Sequence, residues 1–207
     1  MAASPVMPVI VLDHSDDAVP LARALMNGGI RVLEVTMRTA TALDSIHAIR
    51  SALPDALVGA GTVTKVTDLE AARAAGAQFA VSPGTTPDLL AHARGWNFPF
   101  LPGAMTPSDV MRALEAGFTA MKLFPARQAG GIEYLKALAG PFPQVRFCPT
   151  GGIDAKSAAS YLALPNVACV GGSWLTSAEL IASKNWSEIT RRAEAAAQLT
   201  RKSATVA

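Results

Sequence analysis

The chain has 207 residues, half of them hydrophobic, with 18 basic and 16 acidic side chains and a formal charge of +2. That length and apolar share suit one folded domain with a sizeable core. The near-balanced charge, without basic runs or interleaved aromatics, argues against a nucleic-acid partner. No apolar run approaches the roughly 20 residues that span a bilayer. The opening Met1-Ala-Ala-Ser-Pro5 lacks the charged start and apolar stretch of a secretory leader, so a cytoplasmic protein with no membrane partner is expected.

Short β-branched runs alternate with Ala/Leu-rich stretches of helical period about every 25 residues, through eight cycles. The predicted strands are 9–12, 31–36, 56–59, 78–82, 98–101, 120–123, 145–148 and 167–170. Helices fill the gaps: 18–26 is closed by Gly28-Gly29, 69–75 by Gly76 and 108–116 by Gly117. Eight such units in one chain of this size predict an α/β fold built as a parallel (β/α)8 barrel, with an open doubly wound sheet as the alternative if fewer strands are real. No linker or low-complexity tract divides the chain. Residues 1–207 therefore read as one domain, with 200–207 as a fraying polar tail.

In a parallel barrel the chemistry sits at the carboxyl ends of the strands and in the loops that follow. On the second strand Val32, Glu34, Thr36 and Arg38 share one side, while Leu33, Val35 and Met37 share the other. The apolar set is expected to meet the helices. Glu34 then faces the interior, where a carboxylate is costly unless it is paired or used. An ion pair with Arg38 or Lys122 is the structural alternative to a catalytic base, and the two roles are compatible. Arg38, at the mouth, carries the planar fork suited to a carboxylate.

After the third strand, Gly59-Ala-Gly-Thr-Val63 would let backbone approach a ligand and offers the Thr62 hydroxyl, although turn geometry alone also accounts for it. Two Pro-Gly turns follow the fourth and fifth strands, with Thr86 and Thr106 as N-caps before Pro87 and Pro107. The sixth strand, in Ala120-Met-Lys-Leu-Phe-Pro125, holds Lys122 in an apolar run, whereas Lys65, Lys136, Lys156, Lys184 and Lys202 lie in polar, helix-like or tail segments. An apolar site penalises the ammonium form and makes a neutral amine accessible, and that amine can attack a ketone. A snorkelling or paired lysine is the alternative. The seventh strand ends in Cys148-Pro-Thr-Gly-Gly-Ile153 and the eighth in Val170-Gly-Gly-Ser-Trp174. Tandem glycine turns at these places suit phosphate, held by backbone N–H groups and a helix N-terminus, with turn geometry alone as the alternative. Cys148 and Cys169 read as buried free thiols. His14, His47 and His92 read as surface residues, and no metal triad is visible.

These residues carry a family resemblance. Leu33-Glu-Val-Thr-Met-Arg-Thr39, Val58-Gly-Ala-Gly-Thr-Val63, Phe79-Ala-Val-Ser-Pro-Gly84, Met121-Lys-Leu-Phe-Pro-Ala126, the segment from Gly140 to Gly152 with its Phe147-Cys-Pro-Thr-Gly-Gly ending, and Val170-Gly-Gly-Ser-Trp-Leu175 resemble the 2-keto-3-deoxy-6-phosphogluconate (KDPG) aldolases. They are similar also to the bifunctional forms that split 4-hydroxy-2-oxoglutarate (KHG). The likeness runs from about residue 8 to residue 174. It implies a class I aldolase on a (β/α)8 barrel, a homotrimer of the Entner–Doudoroff route that needs no cofactor or metal. The implied partner is a small phosphorylated keto acid, cleaved to pyruvate and glyceraldehyde 3-phosphate. The implied roles are a Schiff base on Lys122, acid/base work by Glu34, pyruvate-carboxylate contacts from Arg38 and Thr62, and phosphate turns at Gly151, Gly152, Gly172 and Ser173. A metal-dependent aldolase or decarboxylase and a non-catalytic phosphate-ligand barrel are the rival readings.

Overall fold

Parallel strands alternate with helices along residues 4–199, the part of the chain that the computed structural model describes. The tail expected to fray, 200–207, lies outside the described residues. The strands are β1 (Val6–Ile10), β2 (Val32–Thr36), β3 (Leu57–Gly61), β4 (Ala80–Val81), β5 (Phe100–Leu101), β6 (Gly103–Ala104), β7 (Ala120–Leu123), β8 (Arg146–Pro149) and β9 (Val170–Gly172). The helices are α1 (Ala18–Asn27), α2 (Ala42–Ala52), α3 (Val66–Ala74), α4 (Pro87–Gly95), α5 (Pro107–Glu115), α6 (Gly131–Ala139), α7 (Ala158–Leu162), α8 (Ala178–Ala182) and α9 (Trp186–Ala197).

All strand pairings among the described residues are parallel. Six strands run in the order β5-β4-β3-β2-β1-β9, and three in the order β6-β7-β8. The two sheets adjoin at both margins. Only Pro102 separates β5 from β6, and a residue without an N–H interrupts a ladder. On the other side Phe147 bridges to Val167, and Thr150 bridges to Gly171 of β9.

The predicted strands fall on observed ones, with shifts that have physical reasons. β1 begins at Val6 rather than Val9 because Pro8 lies inside it, which a reading that keeps proline out of strand interiors misses. The fifth predicted strand, 98–101, is observed as β5, and beyond Pro102 a further short strand, β6, was not expected. Val167 keeps only an isolated bridge, and the strand proper starts at Val170.

Helix ends follow the expected chemistry. Thr86 and Thr106 accept from the backbone N–H groups of Leu89 and Asp109, each at 3.2 Å, with proline at the first helical position. Gly29, Gly76 and Gly117 follow α1, α3 and α5 with φ of 87°, 92° and 84°, left-handed conformations that a side chain resists. At Gly28 a Cβ would lie 2.6 Å from the Thr190 carbonyl, so glycine is what lets α9 lie against the end of α1.

The core has two parts. Leu33 and Val35, both fully buried, join the larger cluster with helix residues such as Leu21, Leu25, Ile46 and Ile49. Each such side chain contributes about 1.5–3 kcal/mol. Val32, on the opposite side of the same strand, joins Met7, Val81, Leu101, Cys148 and Cys169 in a smaller cluster built from both sheets. The two-residue alternation expected for this strand is therefore realised: apolar neighbours meet the helices, and Glu34 goes inward. Among the described residues no helix is long and apolar enough to cross a membrane.

Candidate active site

Glu34 lies midway along β2 and Lys122 is the third residue of β7, so 88 positions of sequence separate two side chains that meet in the interior. Glu34 is 0% exposed and Lys122 4%, and Lys122 Nζ donates to Glu34 Oε1 at 3.1 Å. Of the two ion-pair partners considered for Glu34, the fold selects Lys122; Arg38 forms no ion pair among the described residues. The Lys122 ammonium also sits 5.3 Å from the Phe124 ring centroid, within cation–π range.

Among the described residues, the buried Glu34 Oε2 has no hydrogen-bond partner. An unmatched buried acceptor costs on the order of 1–3 kcal/mol, and more when charged, so its retention suits a group that receives or gives a proton during turnover. Space for the carboxylate comes from the neighbouring strand. A Cβ at Gly61 would fall 2.9 Å from Glu34 Cδ and 2.6 Å from its Cγ, and would collide with Oε1. Glycine at that point lets the acid lie across β3 toward the lysine.

Thr62, immediately after β3, has φ of 58°. A β-branched residue in the left-handed region carries strain of about 1–3 kcal/mol, and such strain concentrates at functional sites. Backbone bonds on either side hold it there: Met37 N–H donates to the Gly61 carbonyl at 2.9 Å and Val63 N–H to the Val81 carbonyl at 3.1 Å.

Arg38 and Ser173 are exposed and share the wall of a cleft of about 800 Å³ with Asp13, Asp17, Trp174 and Lys184. Glu34 and Lys122 are not in that wall. Gly151 and Gly152 form a left-handed turn with φ of 102° and 74° beyond β8, and Gly172 ends β9. The helices that follow differ from expectation. α7 and α8 have five residues each and begin at Ala158 and Ala178, so neither glycine turn leads directly into a helix N-terminus.

Sequence reasoning passed over Thr150 and Ser82. Thr150 is 5% exposed at the end of β8 and packs on Gly171, whose Cβ would lie 3.0 Å from Thr150 Cβ. Its signal was present: it lies two residues after Cys148, on the same side of the strand and nearer its carboxyl end. Ser82 is fully buried and accepts from Gly103 N–H at 3.0 Å, and Gly103 is the register partner of Lys122. Cys148 and Cys169 are buried and not joined in a disulfide, as expected. Hydrogen bonding with Cys169, and then burial, pushes the Cys148 thiol well above its ordinary value, which keeps it protonated and inert. His14, His47 and His92 are exposed. Among the described residues no three His, Cys, Asp or Glu side chains group to hold a metal ion.

A buried amine held against a carboxylate, among parallel strands that end in glycine turns, is the equipment of a carbon–carbon lyase working through a lysine imine. The family model of the KDPG and KHG aldolases matches residues 1–192, and the chain belongs to that family. The chain is 50% identical over 192 residues to the 2-dehydro-3-deoxy-phosphogluconate aldolase of Pseudoalteromonas atlantica, spanning 93% of this chain and 89% of that protein. Its fold matches the KDPG aldolase of Legionella pneumophila with a TM-score of 0.94 and 50% identity, over 95% of this chain and 96% of that one. In that structure pyruvate was captured at low pH as a covalent carbinolamine intermediate. The KDPG aldolase of Zymomonas mobilis ZM4, solved with 3-phosphoglycerate, matches at 45% identity and a TM-score of 0.92, over 99% of this chain and 96% of that one.

Proposed function

We propose that the protein cleaves 2-dehydro-3-deoxy-6-phosphogluconate to pyruvate and glyceraldehyde 3-phosphate through a Schiff base on Lys122, and that it splits 4-hydroxy-2-oxoglutarate to pyruvate and glyoxylate by the same steps. The observation that carries this is the 3.1 Å contact between Lys122 Nζ and Glu34 Oε1 in a dry interior. Within that pair the ammonium passes a proton to the carboxylate and becomes a nucleophile. Attack on the C2 ketone gives a carbinolamine, and protonated Glu34 returns its proton to the departing hydroxyl as water leaves. The protonated imine then draws electrons from the C3–C4 bond. As that bond breaks, Glu34 takes the proton of the C4 hydroxyl, directly or through a water, and the aldehyde departs. Glu34 gives the proton to C3 of the enamine, and water releases pyruvate and regenerates the amine. Arg38 and Thr62 fix the keto-acid carboxylate so that C2 stays within reach of the amine. Gly151, Gly152, Gly172 and Ser173 receive the phosphate.

We infer also that the two sheets close into one (β/α)8 barrel, forming a single domain over residues 1–207. The lone Pro102 between β5 and β6, the bridges beside β9 and the inner cluster shared by both sheets support closure. A homotrimer in the cytoplasm, acting in the Entner–Doudoroff route without a cofactor, completes the proposal.

The deciding test is borohydride added together with pyruvate. The expected result is loss of activity with a stable adduct on Lys122; an unchanged mass overturns the imine mechanism. Activity lost to EDTA but kept after borohydride would point to a metal-dependent lyase, and saturable binding without turnover to a binding protein.

A further inference from the structure

The loop after β7 is laced to the turn after β8. Ala126 N–H donates to the Thr150 carbonyl at 2.8 Å and Arg127 N–H to the Gly151 carbonyl at 3.1 Å. The Arg127 stem occupies the space a side chain would take at Gly152: a Cβ built there would lie 2.7 Å from Arg127 Cβ and 2.8 Å from Cδ. The guanidinium starts one bond beyond that Cδ, so the charge lies beside Gly152. Arg127 is exposed, and among the described residues it has no ion-pair partner. Glu133, the nearest acid along the chain, pairs with Lys136 at 2.8 Å, and Asp154, just past the glycine turn, is engaged in its own turn, accepting from Ser157 Oγ at 2.8 Å and from the Ser157 and Lys156 N–H groups. Burial pushes the Tyr161 phenol up, and the nearby Arg127 cation offsets part of that.

The charge balance on the other side of the mouth makes this cation consequential. The cleft that Ser173 lines carries Asp13, Asp16 and Asp17 against Arg38 and Lys184. Three carboxylates facing two cations leave the Ser173 side without the net positive charge a phosphate dianion needs, and Arg38 is already assigned to the keto-acid carboxylate. An unpaired guanidinium on the Gly151-Gly152 side supplies the missing complement, in the planar geometry that phosphate accepts best.

We propose that Arg127 is a specificity-determining residue: its guanidinium binds the substrate's phosphate at the Gly151-Gly152 turn and sets the preference for phosphorylated over unphosphorylated keto acids. The inference rests on the aldolase function proposed above. Steady-state kinetics of Arg127→Gln on 2-dehydro-3-deoxy-6-phosphogluconate and on 4-hydroxy-2-oxoglutarate test it. KM for the phosphorylated substrate rises about tenfold or more, the loss typical of a charged hydrogen bond, with kcat within about twofold. KM for the substrate without phosphate moves by less than about twofold, and inhibition by inorganic phosphate weakens in step with the first effect. Arg127→Lys falls between, since a point charge replaces the fork. An unchanged KM for the phosphorylated substrate, or an equal loss on both substrates, overturns the assignment. A wild-type chain that cleaves neither substrate overturns the aldolase reading itself, a result distinct from either of these.

Discussion

At the scale of single residues the site depends on what one strand leaves out. Glu34 reaches Lys122 because Gly61 has no Cβ, and the backbone at Gly61, unlike that at Thr62, is free of positive φ. Alanine at 61 therefore strains no backbone torsion and acts through its clash with Glu34, pushing the carboxylate away from the amine. Gly61→Ala is expected to lower kcat for aldol cleavage by about 10–100-fold, the scale of a displacement of about 1 Å at a reacting group, while the chain still folds. Pairing it with Glu34→Asp, which withdraws the acid by one methylene, should recover part of the loss. A kcat within about twofold of wild type would show that the acid does not rest against that glycine. That Lys122 and Glu34 lie in the interior was legible from the sequence, because an ionisable side chain in an apolar two-residue period has few places to go. The role of Gly61 was not, since it depends on which strand lies beside β2 rather than on any local pattern. For the same reason the partner of Glu34 could be narrowed only to Arg38 or Lys122 until the strands were placed.

At the scale of elements, the caps and glycine stops of the helices were readable because they follow from local sterics and hydrogen bonding, whereas strand ends depend on neighbours: the short β4 and β5 and the proline inside β1 are set by pairing. α9 shows how an element outside the strand–helix repeat is tied to the mouth. Glu188, in its first turn, accepts from Arg191 Nε and Nη2 at 2.7 Å each and from Arg192 Nε at 2.8 Å, and Arg192 Nη1 donates to the Trp174 carbonyl at 2.7 Å. The hydrogen bonds from Arg191, then Arg192, lower the Glu188 carboxyl from an ordinary value of 4.5 to about 2. A depressed folded-state value stabilises the fold above the unfolded value and loses that contribution as pH falls through the folded one. The advantage of wild type over Glu188→Gln in Tm is therefore expected to be constant above pH 4.5, to shrink below it and to vanish near pH 2. Because Arg191 is exposed and Glu188 and Arg192 are only half-buried, the effect is small and weakens with salt. Thermal melts of both chains from pH 2 to 7 would settle it, and a gap that persists undiminished at the acid end would rule out the triad as its source.

At the scale of the whole molecule, the question is whether the two sheets behave as one body. The smaller core cluster takes Met7, Val32, Val81 and Leu101 from the six-stranded sheet and Cys148 from the three-stranded one, with Cys169 between them. If the sheets close into one barrel, this cluster couples β2, which carries Glu34, to β7, which carries Lys122, and the 3.1 Å contact survives only while both sheets hold. Leu101, 7% exposed on β5, is the place to probe that coupling, because it lies beside the Pro102 break and far in sequence from the lysine. Leu101→Ala is expected to destabilise the fold by about 2–5 kcal/mol, the range for emptying a buried leucine site. Closure makes a further demand. The denaturation midpoint should fall without a change in slope, and amide exchange should accelerate together in β2, β3, β7 and β8, since one cooperative unit opens as a whole. Faster exchange confined to β3, β4 and β5, with β7 and β8 still protected, would mean that the sheets unfold separately, and the Glu34–Lys122 pair would then span a hinge rather than a barrel.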